Sequence, residues 1–210
     1  MASIGIRALT MRIILASASP ARLATLRSAG IHPEVITSGI DESSVQDSDP
    51  ARLATTLAEL KCRAVAAENP SALTIGCDSV LEFEGDIFGK PGDATEAVAH
   101  WRRMRGNAGV LHTGHCVRLD GHEVSRCAAT TVHFADLSDT EIHAYVATGE
   151  PLQVAGAFTI DGLGGPFVTG IEGDHHNVVG LSLPMLREMF GDLHIAWTDV
   201  WQPAIQQRAR

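Results

Sequence analysis

Two long β-type segments, roughly 110–119 and 122–134, flank Asp120-Gly121, and this pair limits the possible folds more than any other stretch. An Asp-Gly pair suits a two-residue turn with positive φ at both central positions, so the flanking segments read as an antiparallel hairpin. Earlier in the chain, apolar strand-like runs (Ile13-Ile14-Leu15, Pro33-Glu34-Val35-Ile36, Leu73–Cys77) alternate with helical patterns. Alternation alone would build a parallel sheet. A hairpin placed among such units calls instead for an α/β fold with a mixed β-sheet and flanking helices.

Local signals set the expected elements. Ser19 and Pro20 suit the N-cap and first position of a helix running to Ala29, with Leu23 and Leu26 inward and Gly30 closing it. An acidic loop, Gly39-Ile40-Asp41-Glu42-Ser43, precedes Asp49-Pro50, which opens a long helix with Leu53, Leu57, Leu60 and Ala64 on its buried stripe. Lys61 falls at the edge of that stripe. The strand Leu73–Cys77 ends at Asp78, and Val80–Phe83 and Asp86–Phe88 form a tight hairpin about Glu84-Gly85. Capping boxes at Asp93–Glu96 and Ser138–Glu141 start helices reaching about Arg105 and Ala147. Residues 154–171 read as short strands and glycine turns, and Leu183–Phe190 as a last helix ending at Gly191.

A chain of 210 residues can bury one sizeable core, and no repeat or linker divides it. We read 1–210 as a single domain with an N-terminal extension at 1–10, a tail at 193–210, and Met11 as an alternative start. With 16 Lys+Arg against 25 Asp+Glu the net charge is −9, which argues against a nucleic-acid polymer or a membrane surface as partner. Cys62, Cys77, Cys116 and Cys127 are scattered, without a C-x-x-C pair, as expected of reduced thiols in a cytoplasmic protein. The apolar run near Arg7 and Met11–Ala18 is too short for a signal peptide and is interrupted by Arg12. No stretch has the length of a membrane span.

The turn Leu15-Ala16-Ser17-Ala18-Ser19-Pro20-Ala21-Arg22 leaves backbone N–H groups and the positive end of a helix where a strand stops, with Arg22 one turn in. Such a place binds anions, phosphate above all, though a plain capped turn has the same pattern. Asp78 either caps a turn or points into a cleft as metal ligand or base, and Glu42 taken alone is a solvated loop residue. Lys90, within Phe88-Gly89-Lys90-Pro91-Gly92, has more backbone constraint than a surface lysine needs. Lys61 could snorkel from its helix. Together two lysines, an arginine, a helix N-terminus and two carboxylates can handle a triphosphate with a divalent cation.

These residues, in this order, resemble the Maf family, named for inhibition of septum formation and implicated in hydrolysing nucleoside triphosphates to monophosphate and pyrophosphate. The resemblance covers about 12–190: Leu15–Arg22, Gly39–Glu42, Leu57–Ala64, Gly76–Val80, Gly89–Pro91, His112–Gly114, Tyr145–Pro151, Ala155–Phe158, Gly162–Gly165 and Asn177–Leu181. It implies an elongated mixed sheet with two lobes and a central cleft, similar to inosine triphosphate pyrophosphatases, a homodimer, and a divalent cation (Mg2+, or else Mn2+ or Co2+). It implies that Ser17, Ser19 and Arg22 bind phosphate, that Glu42 and Asp78 serve metal and water, and that Lys61 and Lys90 grip the phosphate chain. Gly149-Glu150-Pro151 and Ala155-Gly156-Ala157 look like the subgroup acting on dTTP and UTP rather than on 7-methyl-GTP. Where that subgroup has Ile-Gln-Gly, this chain has Ile160-Asp161-Gly162, so Asp161 meets the base with an acceptor only. Phe158 stands where a tyrosine is frequent.

Other signals carry less. His112, His115 and Cys116 could suggest zinc, but alternate side chains on a β segment diverge, so they read as structural. Asp174-His175-His176 reads as a solvated turn, and Trp197 and Trp201 as residues packing on the body or on a second subunit. A nucleotidyltransferase would use the same attack on an α-phosphorus with another acceptor, but this N-terminal loop is serine-rich rather than glycine-rich. A non-catalytic regulator of division would not need all of Arg22, Glu42, Lys61, Asp78 and Lys90.

Overall fold

Strand pairing along β3 (Leu73–Phe83) organises the molecule. A computed structural model describes residues 11–201; the extension at 1–10, Arg7 with it, and the tail from 202 lie outside the described residues. One edge of β3 pairs antiparallel with β5 (Ala108–Leu119) over Thr74–Glu82, and β5 continues through the Asp120-Gly121 turn into β6 (His122–Phe134). The other edge of β3 is shared. Its first residues, Leu73–Ile75, pair in parallel with β1 (Ile13–Leu15), and its last, Leu81–Phe83, pair with β4 (Asp86–Phe88). Between them β3 has an unpaired edge at Gly76–Val80. With β2 (Glu34–Val35) beyond β1 and β7 (Val168–Glu172) beyond β6, the order is β2-β1-β3-β5-β6-β7, a mixed sheet as expected.

Both hairpin turns have positive φ at their two central residues, 51° and 85° at Glu84-Gly85 and 48° and 85° at Asp120-Gly121, which matches the right-handed twist of the strands they join. The helices α1 (Pro20–Ser28), α2 (Pro50–Glu68), α3 (Ala94–Met104) and α4 (Asp139–Ala147) start at Ser19, Asp49, Asp93 and Ser138, each accepting a backbone N–H. The box at Ser138–Glu141 closes reciprocally; at α3 the Glu96 carboxylate takes the Gly92 N–H instead of that of Asp93. The region 154–171 forms 3-10 turns leading to β7 rather than several strands. Asp174-His175-His176, expected to be a solvated turn, opens a short helix α5 (His175–Val179), because Asp174 caps it and Gly180, at φ 109°, ends it. It is followed by α6 (Leu183–Asp192) and α7 (Trp197–Val200). Trp197 lies against Phe190, and the Trp201 indole lies on Gly30, so both tryptophans pack on the body.

The apolar interior falls into two main clusters. One gathers Leu26, Ile75, Leu186 and Phe190 around β1, α1 and α6; the other gathers Phe83, Trp101, Phe134 and Tyr145 around α3 and α4. The open edge of β3 lies between them. Among the described residues no helix is long and apolar enough to cross a membrane.

Candidate active site

Strand β3 and helix α2 both depart from the expected pattern, and both departures shape the site. Asp78 does not terminate its strand. It sits mid-β3 opposite Gly114, and the strand continues because β5 pairs with it from Thr74 to Glu82. The buried face of α2 is Ala54, Leu57, Ala58, Lys61, Cys62, Val65 and Ala66, while Leu60 turns outward at 36% exposure. The helix rolls this way because its small side chains rest on two glycines. A Cβ on Gly76 would lie 2.4 Å from the Ala58 carbonyl, and one on Gly114 would lie 2.2 Å from that of Ala54. That close approach carries Lys61 into the buried face rather than leaving it at the edge.

Lys61 and Asp78, each 8% exposed, therefore meet across the helix–sheet interface, with Nζ 2.5 Å from Asp78 Oδ1. The same ammonium lies 2.9 Å from Glu42 Oε1, which reaches in from a 3-10 turn at Glu42–Ser44 capped by Asp41. Asp78 Oδ2 has no hydrogen-bond partner among the described residues.

On the opposite face of β3, Arg22 uses its planar fork. Nε donates to the Gly180 carbonyl (2.7 Å), Nη1 to Ser17 Oγ (3.1 Å) and to the Cys77 carbonyl (2.9 Å), and Nη2 to Ser79 Oγ (3.0 Å). Four of the five guanidinium donors are engaged, so Arg22 ties the turn after β1, β3 and the turn after α5 together and keeps one N–H without a partner among the described residues. The Cys77 carbonyl is available to it because β3 has no partner strand at that edge. Ser17 Oγ also accepts the Ser19 N–H at 3.3 Å, and Ser19 Oγ caps α1 through the Arg22 N–H at 3.4 Å. Behind this cluster His115 is fully buried, with Nε2 accepting the Ser182 N–H (2.8 Å) and Nδ1 donating to the Thr113 carbonyl (3.0 Å). Burial, aided by the Arg22 charge, pushes its pKa down to about 4. It stays neutral and supports the turn that presents Gly180.

The eight candidate catalytic, phosphate, metal and base residues all line one cavity of about 850 Å3: Ser17, Ser19, Arg22, Glu42, Lys61, Asp78, Lys90 and Asp161. Lys90 is exposed at the end of β4, on a loop pinned by the Gly156 N–H bonding to the Gly89 carbonyl at 3.0 Å, and has no ion-pair partner among the described residues. Phe158 forms part of the wall, and Asp161 sits on an exposed loop facing the opening. The functional geometry also depends on Ser79, Gly180 and Glu150, which the sequence reading did not single out. Gly180 carried a signal, as a glycine closing a helix; Ser79 and Glu150 carried none outside the family-like stretches.

Two carboxylates on the cavity wall are an oxygen donor set of the kind Mg2+ accepts when substrate phosphates and water complete its shell. Glu42 and Asp78 fit that role. Among the described residues no group of three or more His, Cys, Asp or Glu could hold a metal by itself, and the His112/His115 pair is structural: His112 bonds Glu82 at 2.8 Å. The cysteines are all free, and burial pushes the Cys77 thiol up to about 12, so it is unreactive.

Residues 12–193 match the family model described as "Maf-like protein". A Streptomyces coelicolor protein named nucleoside triphosphate pyrophosphatase is 56% identical over 197 residues, covering 92% of this chain and 96% of that one. Proteins with the same name from Salinispora tropica (56% identical; 92% of this chain and 88% of that one) and Trichormus variabilis (49%; 92% and 99%) are similar over comparable spans.

Proposed function

The chain belongs to the Maf family, and from that footing we propose that it hydrolyses nucleoside 5′-triphosphates to the monophosphate and pyrophosphate. The observation that carries this reading is the convergence of Glu42, Lys61, Asp78, Arg22 and Lys90 on one cavity at the open edge of β3. Family membership implies metal-dependent catalysis. When bound with the substrate, Mg2+ (or Mn2+ or Co2+) would neutralise phosphate charge and make water more acidic.

The residues divide the work by position. Asp78 and Glu42 would supply the cation's protein ligands. Asp78 would take the proton from the attacking water, a role supported by its place on the cavity wall with Oδ2 unpaired among the described residues. Lys61 holds both carboxylates in place before substrate arrives and turns its charge toward the phosphate chain. Lys90, the free Arg22 N–H and the start of α1 at Ser17–Ser19 take up the charge growing on the leaving pyrophosphate. Phe158 and Asp161 add an apolar surface and an acceptor for a base N–H to the same cavity, and the likeness of Gly149-Glu150-Pro151 and Ala155-Gly156-Ala157 to the dTTP and UTP subgroup supports a pyrimidine triphosphate, including modified pyrimidine nucleotides in a house-cleaning role. The two core clusters flanking the site support a two-lobed cleft like that of inosine triphosphate pyrophosphatases. A homodimer, with the whole chain as one domain, completes the reading, and four free cysteines support a cytoplasmic location.

Asp78→Asn tests the assignment. With UTP or dTTP and Mg2+, pyrophosphate release should fall by roughly a hundred- to ten-thousandfold, the usual worth of a positioned acid–base group. Turnover at the wild-type rate would remove Asp78 from the mechanism.

A further inference from the structure

We infer that Glu150, which does not line the cavity, is a positioning residue that sets nucleobase selectivity by clamping the loop that carries Asp161. This rests on the pyrophosphatase reading above and extends it to how the base is chosen.

The Glu150 carboxylate gathers four donors. Oε1 accepts from Tyr145 Oη (3.0 Å), Thr159 Oγ1 (2.6 Å) and the Gly164 N–H (3.1 Å), and Oε2 accepts from the Leu163 N–H (3.0 Å). Three of these donors belong to residues 159–164, so both ends of the loop are tied to one side chain. A further bond from the Thr159 N–H to Tyr145 Oη (3.2 Å) holds its start. Between the ties the chain passes so close that a Cβ on Gly162 would lie 2.7 Å from Glu150 Oε2. Asp161, beside that glycine, is exposed and faces the cavity; no regular strand or helix holds it. The loop's other ties are the Gly165 N–H on the Gly162 carbonyl at 3.1 Å and the Gly164 N–H on Thr159 Oγ1 at 3.3 Å, neither of which reaches Asp161.

Charge makes the clamp specific. Burial alone would push the Glu150 carboxyl up, but the bonds from Thr159, Leu163, Gly164 and Tyr145 outweigh it and keep the group below the usual carboxylate range. An ionised carboxylate accepts at both oxygens, whereas an amide of the same shape must point N–H at one of these donors. The loop so held fixes where the Asp161 acceptor meets the base, and bases are sorted by whether an N–H of their edge falls at that place.

The test uses two variants, Glu150→Gln and Gly162→Ala. The first keeps the shape and loses an acceptor. The second leaves the carboxylate and pushes the loop off it, at a position without positive φ. For each, kcat and KM are measured with UTP, CTP, ATP and GTP, together with the Kd of a UTP analogue that cannot be cleaved between the α- and β-phosphates. Both variants should raise KM for the preferred nucleotide and the analogue Kd roughly tenfold, the loss of about one hydrogen bond to a charged group. kcat should stay within about twofold, and the preference between nucleotides should shrink by the same tenfold. Unchanged KM, Kd and preference in Gly162→Ala would overturn the clamp, as would a fall in kcat shared equally by all nucleotides. If the wild-type protein released no pyrophosphate the function reading would fail, and the analogue Kd would still decide the role of Glu150.

Discussion

Removing the ammonium between Glu42 and Asp78 should cost more stability than removing either carboxylate's charge, and the losses should not add. In Lys61→Met, Asp78 loses its cation at a position only 8% exposed, while Glu42, with a side chain 54% exposed, turns to water. Breaking a buried pair by deleting one partner costs about 3–5 kcal/mol, which for a chain of this size lowers Tm by roughly 6–20 °C. Glu42→Gln touches only the solvated arm of the same ammonium and should cost at most about 1 kcal/mol. Asp78→Asn leaves Lys61 with Glu42 as counterion, so its cost should lie between the two. In the double variant Lys61→Met/Asp78→Asn no charge is stranded, and stability should return to within about 2 kcal/mol of wild type, since uncharged replacements of buried pairs are often neutral. Urea unfolding at neutral pH measures all four. Strict additivity of the two single losses would refute the view that Lys61 and Asp78 act as one buried unit.

Further expectations follow from the same geometry. Arg22→Lys keeps the charge but cannot span Gly180, Ser17, Cys77 and Ser79, so it should destabilise by about 2–3 kcal/mol and lower kcat/KM; a wild-type melt and rate would contradict the bracing role. Gly114→Ala, whose Cβ would lie 2.2 Å from the Ala54 carbonyl, should lift α2, cost about 1–3 kcal/mol and reduce activity by displacing Lys61, as read by melting and pyrophosphate release. His115, held near 4 in the folded state against an ordinary 6.5, binds its proton more readily once unfolded. Its contribution is therefore full above pH 6.5 and lost as pH falls toward 4, up to about 3 kcal/mol, and His115→Gln should flatten that part of the stability profile.

The sequence made the fold legible wherever local chemistry decides. The Asp120-Gly121 turn, the Ser138–Glu141 capping box and the Ser19-Pro20 helix start each have a short-range cause, and each lies where the residues indicated. What escaped was set by packing between distant segments. The roll of α2 depends on Gly76 and Gly114, which reach it only after β3 and β5 pair, so leucine spacing alone put Leu60 inside and Lys61 at the edge. Asp78 reads as a strand end because a lone acidic residue interrupts an apolar run; only the β1/β4 gap explains an aspartate mid-strand. The residues bringing charge to the cavity were recognisable by type and context. Those that hold them act between segments apart in sequence, Gly180 through its carbonyl, Ser79 through its hydroxyl and Glu150 through its carboxylate, and no periodicity reveals such contacts.

The central claim is that this cavity directs water to the α-phosphorus of a nucleoside triphosphate. Turnover of UTP with Mg2+ in 18O-labelled water, with products resolved by mass, tests it at the atom concerned. One label per turnover is expected in the phosphate of UMP and none in the pyrophosphate; label in the pyrophosphate, or release of UDP and orthophosphate, would contradict attack at the α-phosphorus.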